Sequence, residues 1–176
     1  MAFGTVQTLR RAVDGGEWTT QRLVAYLIRR IEELSRDGLN AVLELNPDAM
    51  ADAARCDADR ARGAVLGPLH GIPVLLKDNV GTDGAMHTTA GAVAMADAQS
   101  DRDAFIVTQL RAAGAVILGK TNLSEWANYM TSDSNNGFSA LGGQVHNPHG
   151  PFDVGGSSSG SGAALAAGFA PLAVGT

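Results

Sequence analysis

Gly155-Gly156-Ser157-Ser158-Ser159-Gly160-Ser161-Gly162 puts four hydroxyls into eight residues and runs directly into Ala163-Ala164-Leu165-Ala166-Ala167-Gly168. The only lysines of the chain, Lys77 and Lys120, each follow an apolar run: Ile72-Pro73-Val74-Leu75-Leu76 before the first, Ala115-Val116-Ile117-Leu118 shortly before the second. Hydroxyl and amine together have a chemistry. A lysine that has lost its proton is a base, and it can activate a serine without any histidine. At the C-terminal end of a buried strand a lysine is partly desolvated, which lowers its pKa and favours the neutral amine. The plainer reading of each is a side chain that snorkels to water, or one that pairs with a carboxylate as Lys77 could with Asp78. From residue types alone the two lysines are equal candidates.

Other chemistries fit less well. A Gly/Ser run can be a flexible linker, but a linker does not lead into an Ala/Leu segment with the look of a buried helix. Small residues on both sides point instead to a loop packed against a helix start, where glycine permits close backbone approach and free N–H groups face the loop. Gly155 and Gly160 have the spacing of a phosphate loop, yet Ser161-Gly162 stands where lysine and a hydroxyl residue are needed. His70, His87, His146 and His149 lack metal-ligand spacing and read as surface or loop-structural residues. No metal and no cofactor is expected. Trp18 and Trp126 read as packing residues, and Cys56 as a structural position in a helix.

The elements that must position the serines and lysines follow from periodicity. Val6, Leu9 and Val13 share one helical face in Thr5 to Asp14, which Gly15-Gly16 ends. Thr19 or Thr20 can cap a second helix reaching about Arg36, with Leu23, Leu27, Ile31 and Leu34 on its apolar face and Tyr26 and Ile28 alongside. Ala41 to Leu45 reads as a short strand. Asn46-Pro47 reads as a cap and first position of an alanine-rich helix to about Arg62. Strands are expected at Ile72–Leu76 and Ala115–Leu118, with a helix over Asp103–Ala113 between them. Asn122 is expected to cap a short helix through Met130, and Leu172 to Thr176 begins another strand. Apolar strands without alternation, interleaved with helices, indicate an α/β fold whose sheet is covered on both faces. No internal boundary is visible, so residues 1–176 read as one unit.

Composition bounds the rest. With 176 residues, 45% hydrophobic content and a mean hydropathy of +0.02, the chain can bury a sizeable core. The net charge of −5 is spread without acidic or basic runs, which favours neither nucleic-acid nor membrane-surface binding. A single cysteine allows no internal disulfide and suits a reducing compartment. No signal core or 18-residue apolar span is present, and the expected location is the cytoplasm.

Three stretches together resemble the amidase signature hydrolases. Gly71-Ile72-Pro73-Val74-Leu75-Leu76-Lys77-Asp78-Asn79 resembles their lysine strand. Leu118-Gly119-Lys120-Thr121-Asn122-Leu123-Ser124-Glu125-Trp126-Ala127-Asn128 resembles their second block, and Gly155–Gly162 their serine loop, preceded by Gly142-Gly143-Gln144-Val145 and Asn147-Pro148. The blocks keep the family order and span nearly the whole chain. The Ser-Glu-Trp-Ala-Asn wording is most similar to the peptide-amidase-like branch. The resemblance implies a mixed sheet surrounded by helices and a Ser–cis-Ser–Lys unit acting on linear or peptide amides. It assigns the base to Lys77, the serine after a cis peptide bond to Ser157, and a structural role to Lys120. It gives Thr131, Ser132, Ser158 and Ser159 to substrate binding or loop support.

One element of the family pattern is missing. The nucleophilic serine of the family lies about two dozen residues after the first loop serine, just beyond Thr176. Val174-Gly175-Thr176 resembles the strand that enters its turn, so the chain reads as the N-terminal part of a longer amidase domain. Ser158, Ser159 and Ser161 are the substitutes available within the chain. Two other functions compete: the amidase subunit of a tRNA-dependent transamidating complex, and a non-catalytic amidase-like binding module. A continuation past Thr176 with an Asp-Gly-Ser-like turn would reject the last.

Overall fold

The computed structural model describes residues 5–36, 38–129 and 135–176. Helix α1 (Val6–Asp14) starts at Thr5, whose hydroxyl accepts from the Thr8 N–H, and buries Leu9 and Val13. Helix α2 (Thr20–Arg36) buries Leu23, Val24, Leu27 and Ile31. Thr19 is its side-chain cap, accepting from the Arg22 N–H at 3.1 Å. A second cap comes from the next helix. The Asp57 carboxylate accepts from the N–H groups of Thr20 and Gln21 at 2.7 and 3.0 Å. Burial works to raise the Asp57 pKa, but these bonds outweigh it and hold the group below its ordinary value.

Strand β1 (Val42–Leu45) leads into α3 (Ala49–Ala61). Asn46 acts as a hinge pin between them: its Oδ1 accepts from the Asp48 N–H and its Nδ2 donates to the Ile117 carbonyl at 2.8 Å. Strand β2 (Pro73–Lys77), helix α4 (Phe105–Ala112) and strand β3 (Val116–Thr121) form a βαβ unit in which β2 and β3 are parallel. A two-residue pair, β4 (Phe138–Ser139) and β5 (Gly143–Gln144), precedes helix α5 (Ser159–Ala166) and strand β6 (Leu172–Val174). The main sheet has the order β1-β3-β2-β6, with β1 antiparallel and the others parallel, so the sheet is mixed.

Every residue of β2 and β3 is buried. Leu75 and Leu118 pack with α2, α3 and α5 on one face, whereas Val74, Leu76 and Ile117 pack with Val107 of α4 and Met86 on the other. Cover on both faces is why these strands read as continuous apolar runs. An irregularity interrupts the β2–β3 register: Val74 pairs with Ile117, but Leu75 pairs with Gly119, leaving Leu118 as an extra residue.

Asn122 does not cap a helix. Glu125–Asn128 is a short 3₁₀ turn in which Trp126 and Ala127 have φ of 51° and 55°, the left-handed region. The Asn122 side chain is buried and cross-links loops instead: Nδ2 donates to the carbonyls of Asn40 and Gly143, and Oδ1 accepts from Leu123 N–H and the Ser139 hydroxyl. Trp126 is half-exposed on this turn rather than packed in the core. Trp18 packs edge-on against Tyr26, with the Arg22 guanidinium over its ring.

Candidate active site

Side chains alternate along a strand. Lys77 therefore shares the face of Leu75, the face that carries α5. Its side chain is fully buried, and Nζ lies 2.7 Å from Ser157 Oγ and 2.9 Å from Thr176 Oγ1. The Asn79 amide donates to the same Thr176 hydroxyl at 3.1 Å. Among the described residues no Asp or Glu carboxylate is bonded to this amine; its closest partners are hydroxyls. Burial pushes its pKa below the ordinary lysine value. An amine that meets hydroxyls in a desolvated site can take a proton from one of them rather than sit as a permanent cation.

Hydrogen bonds hold the serine loop at the Lys77 end of β2. The Gly156–Ser157 peptide bond is cis. The Ser157 carbonyl accepts from the Ser124 N–H at 3.0 Å, and the Ser124 hydroxyl in turn accepts from the Gly137 N–H at 2.9 Å. Gly160 packs its backbone on β3's continuation, donating to the Asn122 carbonyl at 3.0 Å. A Cβ there would run into the carbonyl oxygens of Asn122 and Ala41. The Ser158 hydroxyl accepts from the Thr176 N–H at 3.1 Å and donates to the Thr176 carbonyl at 3.3 Å. Ser159 is buried and donates to the Gly155 carbonyl, closing the loop on itself.

Lys120 faces away from this cluster. The extra residue at Leu118 puts Lys120 opposite Leu76, on the α4 face, while Thr121 pairs with Lys77. Lys120 Nζ donates to the Val80 carbonyl at 2.8 Å and the Thr88 hydroxyl at 3.0 Å. Burial lowers its pKa to about 8, against the opposing charges of Asp78, Glu44 and Asp103. Asp78 sits next to it, accepting from Thr89 N–H and hydroxyl and from Gly91 N–H. Burial raises the Asp78 pKa, with the Thr89 hydroxyl and Lys120 opposing. Asp78 therefore bonds the Thr89–Gly91 loop and not Lys77, so the salt-bridged Lys77–Asp78 pair does not form.

A sequence model of the family described as Amidase matches residues 22–176. The chain belongs to the amidase signature family. Its fold superposes on the native peptide amidase of Stenotrophomonas maltophilia with a TM-score of 0.90 and 46% identity, covering 96% of this chain and 35% of that one. An amidase family protein of Bacillus anthracis gives a TM-score of 0.93 and 45% identity, covering 98% of this chain and 35% of that one. A glutamyl-tRNA(Gln) amidotransferase subunit of Alkaliphilus metalliredigens is 42% identical over 178 residues, 98% of this chain and 34% of that protein. The chain thus spans between about a quarter and about a third of the length of the relatives it matches.

In this member of the family the structure brings Lys77, Ser157 and Ser158 together around Thr176, and leaves Ser159 behind the loop as a support. Thr131 and Ser132 lie outside the described residues. Lys120 is separated from the serine loop by the sheet. Several site residues escaped the sequence reading: Thr176 and Asn79 beside Lys77, Ser124 under Ser157, and the Asp78–Thr89 contact. Asn79 and Ser124 stand inside the quoted motif blocks, but nothing in their spacing tells which backbone group they meet. His70 is buried and structural, its ring between the Cys56 carbonyl and the Leu66 N–H. Among the described residues no group of three His, Cys, Asp or Glu could hold a metal, and no helix is long and apolar enough to cross a membrane.

Proposed function

We propose that this chain supplies the base and the bridging serine of an enzyme that hydrolyses linear amides, peptide amides among them. The observation that carries this reading is the 2.7 Å contact between Lys77 Nζ and Ser157 Oγ at a buried strand end. Neutral Lys77 accepts the Ser157 proton while Ser157 takes the proton of a nucleophilic serine. That serine attacks the amide carbonyl, and backbone N–H groups hold the oxyanion. The C–N bond breaks as the relay returns a proton to the leaving nitrogen, which departs as ammonia or an amine. Water then enters, gives its proton to the same relay, and releases the acid from the acyl-enzyme. The nucleophile is expected in the sequence that follows Thr176, in one amidase domain whose N-terminal part is residues 1–176. A reducing, cytoplasmic compartment belongs to this reading, and the free thiol of Cys56 suits it.

The test is release of ammonia from peptide amides and simple linear amides by the protein that carries this chain and its continuation. Turnover that vanishes in Lys77→Ala supports the reading; full turnover in that variant overturns it. The 42% identity to a transamidating subunit keeps one second reading in play. Ammonia release only with partner subunits present would favour it, and release by the lone protein would reject it.

A further inference from the structure

Thr121 and Ser161 are both buried, and their hydroxyl oxygens lie 2.7 Å apart. Each hydroxyl has one proton. Ser161 donates its own to the Val174 carbonyl at 3.0 Å, which leaves Thr121 to donate to Ser161. The Leu76 carbonyl is the other acceptor near Thr121 Oγ1, but at 3.4 Å it is the weaker one. The result is a directional chain from β3 through the first turn of α5 to β6. It crosses above the end of β2 over two adjacent residues: Thr121 pairs with Lys77, and Val174 pairs with Leu76. Ser161 stands four residues after Ser157, in the first turn of the helix that follows the serine loop. Gly160, between them, allows the helix to sit directly on the Asn122 backbone. The hydroxyl pair adds side-chain bonds to a turn whose glycines and alanines offer few side-chain contacts of their own.

We propose that the Thr121–Ser161 hydroxyl pair is a positioning device that sets the reach between Lys77 and Ser157. Neither residue touches substrate; both act through the placement of the serine loop over the strand end. The proposal rests on the amidase reading for its consequence but not for its geometry. Without the pair, the Val174 carbonyl loses the Ser161 hydroxyl, and the start of α5 keeps only its remaining bonds to the strand end, so the distance from Ser157 to Lys77 is less tightly set.

The experiment compares Thr121→Val, Thr121→Ser, Ser161→Ala and the Thr121→Val/Ser161→Ala double variant in the full-length protein that contains this chain. Peptide-amide turnover is read together with titration of the Lys77 amine by NMR of ¹³C-labelled lysine, its signal assigned by loss in Lys77→Arg. Thr121→Val and Ser161→Ala are expected to lower kcat by about 10²-fold, the scale of an ångström-level misplacement, with KM little changed. Their Lys77 titration moves up towards the ordinary lysine value. Thr121→Ser keeps the hydroxyl and both wild-type readings, and the double variant is no worse than either single one. Variants that lose only thermal stability, with kcat of the folded protein and the Lys77 titration unmoved, overturn the proposal. If Ser161→Ala does not fold, the Thr121→Val and Thr121→Ser comparison decides. If the wild-type protein hydrolyses no amide, the amidase reading fails while the Lys77 titration still decides for or against positioning.

Discussion

Lys77 Nζ and Ser157 Oγ lie 2.7 Å apart although 80 residues separate them in the chain. The contact joins a strand end to a loop, and each partner is fixed by backbone geometry rather than by another charge. Lys120, the other lysine, has equally complete burial but opposite facing, and it bonds a carbonyl and a threonine on the α4 side.

That difference separates the two lysines by experiment. If the proposed amide hydrolysis holds, Lys77→Ala in the protein that carries this chain and its continuation is expected to lower kcat by several orders of magnitude, on the scale of removing one member of a catalytic unit, without loss of fold. Lys120→Ala is expected to cost roughly 2–5 kcal/mol of stability through a cavity and an undonated Val80 carbonyl. Urea unfolding together with turnover measures both. Equal effects of the two substitutions on turnover per folded molecule would remove the distinction.

Lys120 also predicts a pH dependence of stability. Its amine is lowered to about 8 in the folded protein from a reference value of 10.5, so the unfolded chain binds more protons between these values. Stability therefore carries the full penalty below about 8 and gains as pH rises towards 10.5. In Lys120→Met this part of the rise should disappear from denaturation midpoints measured across the window. A rise of the same size in wild type and variant would assign it elsewhere.

Asp57 works with the opposite sign. Its folded pKa is lowered from a reference of 3.8, so its contribution is present above 3.8 and is lost as pH falls through the folded value. Asp57→Ala removes two backbone bonds and the Gln21 side-chain bond at the start of α2 and should cost about 1–2 kcal/mol at neutral pH, the range of a lost helix cap. The gap between wild type and variant should close in acid. A gap that persists unchanged at low pH would mean that packing, not the carboxylate, is what Asp57 supplies.

Gly160→Ala tests how tightly the serine loop is held. A Cβ at this position meets the backbone oxygens of Asn122 and Ala41, atoms that cannot swing aside. The substitution should destabilise by about 3 kcal/mol or more, as overpacking against fixed backbone does. Gly162→Ala, on the same helix with open space around it, should be neutral or stabilising. Similar midpoints for the two variants would show that the loop yields.

The strands, helices and serine loop were legible in the sequence because their signals are local. The run Ile72–Leu76 and the face Leu23, Leu27 and Ile31 state a period, and a period needs only neighbours in sequence. What could not be read depends on distant partners. Residue types and periodicity left Lys77 and Lys120 equal, and only the family resemblance chose between them, because their opposite facing turns on one extra residue in β3 and a bulge leaves no periodic trace in a strand of six residues. Asn122 offered a helix cap because asparagine bonds nearby backbone in caps and loops alike; the left-handed Trp126-Ala127-Asn128 turn, which no glycine announces, decides against the helix. The Asp57 cap on α2 and the Thr121–Ser161 pair join residues 36 and 40 apart, beyond any local rule.

The most direct test of the Lys77–Ser157 relay sets two curves from one protein side by side: kcat/KM for a peptide amide against pH, and the titration of the Lys77 amine by NMR. A base must be neutral to act, so activity should rise as pH climbs through the pKa of Lys77 in the free enzyme. The expected result is a shared midpoint, below the ordinary lysine value of about 10.4. A Lys77 that titrates at the ordinary value, or an activity midpoint that does not follow Lys77, would contradict its role as the base.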